Sequence, residues 1–256
     1  MHLNVASVAG FILCLGIIIT GIATNGGIGT IMNFIHVPSM LVTFGGALFA
    51  VMITSDSFAD YLDGLKSFPE AFHKVKLNED MISEQILEMS SIARKERLLV
   101  LEERADGIES VFLKKGIRLI VDGTDPELVK DILETELIQK EERIKKRIHF
   151  WEDLGAYAPA WGMVGTLLGL INMMRSMGTD AASIGSGMAL ALITTLYGSV
   201  LANWVCIPIS RRMEKNGGQE GLVMELTIEG VLSIQAGESP TIIKEKLRAF
   251  LEAKEE

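Results

Sequence analysis

The sequence predicts an all-α polytopic membrane protein with four transmembrane helices and a helical cytoplasmic domain. Three observations carry that prediction. Of the 256 residues, 48% are hydrophobic but only 6% are aromatic, a balance too apolar for a soluble domain with so few aromatic rings. Four runs free of acidic and basic side chains reach the roughly 20 residues needed to cross the hydrocarbon layer. No segment alternates apolar and polar residues with the period of a strand.

The elements follow in order. No Asp, Glu, Lys or Arg occurs before Asp56, and the glycine-rich "TNGGIGT" (Thr24 to Thr30) divides residues 1–55 into spans from Val5 to Thr24 and from Phe34 to Thr54. The first lacks a basic leading region and a small-residue cleavage site, so it reads as a retained anchor. Both are rich in Ile, Leu, Phe and Val and suit a lipid-facing position.

Residues 56–153 carry most of the charge and read as helical. Asn78 before Glu79 and Asp80 is a helix start, and Met81, Ile82, Ile86, Met89 and Ala93 form an apolar stripe. "ADG", ending at Gly107, supplies a stop. A shorter helix is expected around Ser110 to Val121. Then "DGTDPE" places Asp125 as N-cap and Pro126 at the first helical position of a helix running toward Phe150. Because "KEERIKKRIHFW" ends where the third span begins, one continuous rod is expected there.

The third span runs from Leu154 to Met174 and the fourth from Ala181 to Ser210, together occupying 154–210. In the tail, 211–256, "NGG" (Asn216 to Gly218) is expected to break the chain before a helix to about Ala236. Ser239 and Pro240 then cap another.

Orientation follows from the basic residues. Of 24 Lys and Arg, 16 lie between Ser55 and Asp153, 7 follow Ser210, and only Arg175 remains. The positive-inside rule places both basic segments and both termini in the cytoplasm. Asn25 to Asn33 and Gly178 to Gly185 become short external connections.

A net charge of -9 excludes a nucleic-acid binder driven by phosphate contacts. Cys14 and Cys206 lie in apolar runs, and the four histidines show neither metal-ligand spacing nor a paired carboxylate. Nucleophile motifs and phosphate-cradling loops are missing as well. No enzyme, cofactor or metal is expected.

The inner spans carry the signal. In "APAWGMVGTLLGL", Gly162, Gly165, Thr166 and Gly169 fall at i, i+3, i+4 and i+7, one face of very small side chains. In the fourth span Gly187, Ala191, Thr195, Gly198 and Ala202 repeat the pattern. Such faces suit close helix packing, and a threonine can bond its own i-4 carbonyl. Two adjacent spans with the same hydroxyl-bearing stripe also suit a shared surface that meets another helix.

Neither interior holds an Asp, Glu, Lys, Arg or His, whereas ion paths normally use such a group near mid-membrane. An ion path here needs a carboxylate from a partner. Pro159 and Pro208, near the cytoplasmic ends of these spans, weaken local helix bonding and are candidate hinges.

These stretches, with "MALALITTLYGSVLANWVCIPIS" and the cytoplasmic "ARKERLLVLEE", resemble the MotA family of bacterial flagellar stator subunits over nearly the whole chain. The resemblance implies an inner-membrane homopentamer around two MotB chains, each bringing a transmembrane helix with an essential aspartate. It also implies ion flow coupled to ring rotation against the rotor protein FliG. By the same resemblance, Thr166 and Thr195 flank the ion pathway, Pro159 and Pro208 couple conformation, and Arg94 and Glu102, eight residues apart and on one side of a helix, meet FliG. Arg97 stands where relatives often have glycine, adding a charge there. The driving ion is expected to be the proton, although Thr194 beside Thr195 also suits sodium. A TolQ- or ExbB-like envelope energiser is the neighbouring alternative, and those relatives lack the leading pair of spans.

Overall fold

The computed structural model describes residues 3–73, 79–96, 98–177 and 181–252. Among them the chain is helical, with no strand and a single antiparallel bridge between Leu3 and His73. Four helical stretches are long and apolar enough to cross a membrane: Val5–Thr24, Val37–Thr54, and parts of Pro126–Arg175 and Ile184–Gln235.

The chain divides into two units. The first comprises residues 1–74 and 145–214, the second 75–144 and 215–256. In the first unit, α1 (Val5–Gly26) opens with Asn4, whose side chain accepts from the Ser7 N–H. The second span is α2 (Val37–Met40), a π-helical turn (Leu41–Gly45) and α3 (Gly46–Thr54). It starts at Val37 and not at the expected Phe34, because Ile28–Phe34 forms a 3-10 helix that ends before His36. His36 then caps α2, its ring nitrogen accepting from the Ser39 N–H, with Pro38 in the first turn.

Helix α4 (Phe58–Lys66) follows in this unit, with Ser57 as its N-cap. The core joins Ala47, Val51, Tyr61, Phe150, Trp151, Leu154, Ala202, Cys206 and Ile209. Its polar seam is closed: the Trp151 indole N–H donates to Ser67 Oγ at 3.0 Å, and that hydroxyl donates to the Gly64 carbonyl.

In the second unit, α5 (Glu79–Glu96), α6 (Leu101–Ala105) and α7 (Val111–Val121) precede the start of α8 (Pro126–Arg175). Ser110 caps α7 by accepting from the Leu113 N–H, and Asp125 accepts from the Glu127 N–H at the head of α8. Helix α8 is continuous from Pro126 to Arg175, the rod expected from the charged run before the third span. Ile82, Ile86, Leu101, Leu113, Ile117, Leu133, Leu226, Val231 and Ile243 make the core. The helix start at Asn78 and the extra charge of Arg97 lie outside the described residues.

Two further expectations are corrected. Helix α9 (Ala181–Val200) begins four residues before Gly185, so part of the proposed external connection is helical. Helix α10 (Ile207–Gln235) runs straight through Asn216, Gly217 and Gly218. Gly217 marks a close approach and not a break: a Cβ there would lie 2.7 Å from Ile144 Cγ2. Two bare glycines cost helix propensity, and it is the packing of Ile144 on Gly217 that offsets this cost. As expected, Ser239 caps the final helix, α11 (Pro240–Glu252), accepting from the Ile242 N–H.

Candidate functional site

Gly162, Gly165 and Gly169 are buried against α9, the first and last under its backbone and Gly165 under the Thr194 side chain. A Cβ at Gly162 would lie 2.8 Å from the Thr194 carbonyl oxygen, and one at Gly169 would lie 2.6 Å from that of Gly187. From the other side, a Cβ at Gly198 would lie 2.5 Å from the Ala158 carbonyl oxygen and 3.0 Å from Pro159 Cα. Ala191 and Ala202 are buried along the same seam. The small faces therefore pack on each other.

This packing brings the two threonines together. Thr166 Oγ1 lies 2.9 Å from the Ala191 carbonyl, 3.1 Å from its own Gly162 carbonyl and 2.5 Å from Thr195 Oγ1. Thr195 also reaches the Ala191 carbonyl, at 3.3 Å. Either hydroxyl can donate to the other while the acceptor donates onward to Ala191. When Thr195 is the donor within the pair, its oxygen keeps lone pairs for an incoming proton donor.

Thr195 is exposed and Thr166 half-buried. Around them Met163, Leu167, Leu170, Met188 and Leu192 are exposed apolar side chains. The surface thus offers two hydroxyls within an apolar field, and no charge. Thr194 is different: it is fully buried, packs on Gly165, and donates to the Leu190 and Ala191 carbonyls at 2.9 and 3.0 Å. Its hydroxyl is turned into the seam, away from the open face.

Both prolines are exposed and adjoin the same seam. Pro159 lies within α8 beside Gly198. Pro208 follows a π-helical turn, Leu201–Cys206, near the point where Gly155 meets Cys206. A proline removes one helical hydrogen bond and clashes with the carbonyl four residues earlier. The wider turn accommodates Pro208 without ending the helix.

Arg94 and Glu102 are both exposed but do not share one helix. Arg94 is in α5, Glu102 is in α6, and a 3-10 turn (Leu98–Val100) precedes α6. The spacing argument that put them on one helical face is overturned. Among the described residues, neither forms an ion pair, nor do Lys95, Glu96, Glu103 and Arg104.

Some charges elsewhere are paired. Arg147 donates to Asp63 at 2.7 and 3.1 Å and to both Glu70 oxygens at 2.9 Å. The hydrogen bond from Arg147 holds the Asp63 carboxyl below its ordinary range despite some desolvation. Lys146 binds Asp56 at 2.7 Å and lowers its pKa in the same way.

Tyr197 was not singled out by the motifs, yet its hydroxyl accepts from the His36 N–H at 3.1 Å and donates to the Phe34 carbonyl. Thr43 adds a bond to the Thr194 carbonyl at 3.4 Å. The signal was present in principle, since a tyrosine inside an apolar span needs a partner for its hydroxyl.

Comparison with known proteins matches residues 104–226 to the MotA/TolQ/ExbB proton channel family and residues 8–98 to the Motility protein A N-terminal family. The chain is 37% identical to Motility protein A of Borreliella burgdorferi, over 99% of this chain and 96% of that protein. It is similar to a chain in the C. jejuni MotAB structure, with a TM-score of 0.87 and 26% identity, covering 96% of this chain and 95% of that one. A chain of the flagellar MotAB stator complex from Bacillus subtilis gives a TM-score of 0.86 at 27% identity, covering 98% of each.

Proposed function

We propose that this chain, which belongs to the MotA/TolQ/ExbB proton channel family as a MotA-like stator subunit of the flagellar motor, couples inward proton flow to torque. It is a channel subunit and not an enzyme. In this reading, five copies surround two MotB chains in the bacterial inner membrane, with both termini of each copy in the cytoplasm. The carboxylate missing from the inner spans comes from the MotB helix.

The observation that carries the reading is the Thr166–Thr195 pair on an exposed apolar face. A lone carboxylate entering that face finds a hydroxyl to solvate it when charged and an acceptor oxygen when protonated. Neither state requires a second charge in low dielectric, where an unpaired charge is expensive. The proton is favoured over sodium because Thr194 is turned into the seam. A bare cation needs a shell of oxygens in place of its water, and the face supplies only two hydroxyls.

The carboxylate's change of charge would alter packing at Thr166 and Thr195, and Pro159 and Pro208 would relay that change along the seam. Arg94 and Glu102 would meet FliG with charges that have no ion-pair partner among the described residues.

Thr195→Val keeps size and apolar packing while deleting the exposed hydroxyl. The variant is expected to assemble normally but to lose most swimming and proton flux. Normal swimming would sink the assigned role. Swimming speed measured while sodium and the proton gradient are varied separately should follow the proton gradient alone.

A further inference from the structure

Between two clusters of charge that have no ion-pair partner among the described residues sits an apolar side chain facing water. Leu99 is 68% exposed. It lies at the centre of the 3-10 turn Leu98–Val100, whose other two residues are half-buried. The turn is fixed from below, since Leu101 and Ala105, immediately after it, are fully buried in the core of the unit. Leu99 is therefore held outward on a firm base.

On one side of it stand Arg94, Lys95 and Glu96, and on the other Glu102, Glu103 and Arg104, all exposed. The first group carries an excess of positive charge and the second an excess of negative charge. An apolar centre within a polar rim is the ordinary anatomy of a protein contact. The opposed signs select a partner surface of mirrored polarity, acidic-rich beside basic-rich with an apolar cleft between.

We propose that Leu99 is the apolar anchor of the rotor contact, seated in a cleft of the rotor protein while the flanking charges set register and orientation. The proposal rests on the rotor-contact reading of Arg94 and Glu102. It adds the residue that supplies affinity, since oppositely charged exposed pairs contribute little binding by themselves and a side chain already fixed outward loses little freedom on docking.

The test compares Leu99→Asn, Leu99→Met and the double reversal Arg94→Glu with Glu102→Lys, each in the full chain with its MotB partner. The readouts are torque on a bead-tethered flagellum, recovery of the intact stator complex from the membrane, and proton flux. Burying a leucine side chain is worth about tenfold or more in association. Leu99→Asn is expected to lower torque at least threefold with complex recovery and flux unchanged, and Leu99→Met to retain most torque.

If Leu99→Asn pulls normally while the charge reversal fails, the anchor is overturned and the rotor contact stands. If both pull normally, the contact reading falls and the anchor with it. Loss of the complex in Leu99→Asn would place Leu99 between copies of this chain and also overturn the proposal.

Discussion

The threonine pair between α8 and α9 and the charged segment from Arg94 to Arg104 are both polar and both open to a partner, but they are built in opposite ways. In the first, each hydroxyl is already bonded, to the Ala191 carbonyl and to the other threonine. In the second, the charges have no ion-pair partner among the described residues. The surrounding medium explains the difference. A site inside hydrocarbon must satisfy its own polar groups, because nothing else will, whereas a site in water can leave charges to solvent until a partner displaces it. Charge is kept out of the first region and concentrated in the second.

The strongest way to break this contrast is to deny the threonines their seam. Gly198→Val would drive a side chain into the Ala158 carbonyl and Pro159 Cα, backbone that cannot yield, at an expected cost of about 3 kcal/mol. Little intact complex should be recovered from the membrane, and motility should vanish.

Next comes the aqueous site. Reversing Arg94 and Glu102 together should cut torque severalfold without changing proton flux, measured on bead-loaded motors and in cells overproducing the stator. Flux and torque falling in parallel would erase the distinction between the two regions.

A finer probe is Thr166→Ser, which keeps the hydroxyl but frees its rotor by removing the methyl group. Swimming should drop by less than about twofold, against near-complete loss for Thr166→Val, if bonding and not bulk is what the site requires. Equal effects of the two would favour packing.

The smallest effect concerns Asp63, a matched charge that stands outside both regions. Its folded pKa lies below the ordinary 3.8 because of Arg147. That pairing stabilises the fold fully above the unfolded value and fades as pH falls through the lowered folded one. Thermal unfolding of the solubilised complex, followed from about pH 6 to about pH 3, should lose midpoint more steeply in the native chain than in Asp63→Asn. Because the carboxylate is half exposed, the difference should be slight.

The spans, the small-residue stripes and the caps at Asp125 and Ser239 were legible in the sequence because each rests on a local rule of spacing or capping. What escaped it depends on distant residues. Asn216 to Gly218 reads as a break until Ile144 is seen packing against Gly217. Arg94 and Glu102 read as one helical face until the 3-10 turn before Leu101 separates their helices. The threonines themselves were found by spacing, but not their mutual bond or the turning inward of Thr194. Those follow from which side of α9 meets the bare glycines of α8, a property of the pair and not of either helix.

The bridge at Tyr197 has a mechanical consequence. One hydroxyl takes the His36 N–H and gives to the Phe34 carbonyl, while the Tyr197 ring stacks on Phe44 with centroids 5.5 Å apart. The second and fourth spans are thereby pinned against sliding past each other at that level. A displacement of either helix along its axis is resisted as shear across this pin, so the second span stiffens the fourth.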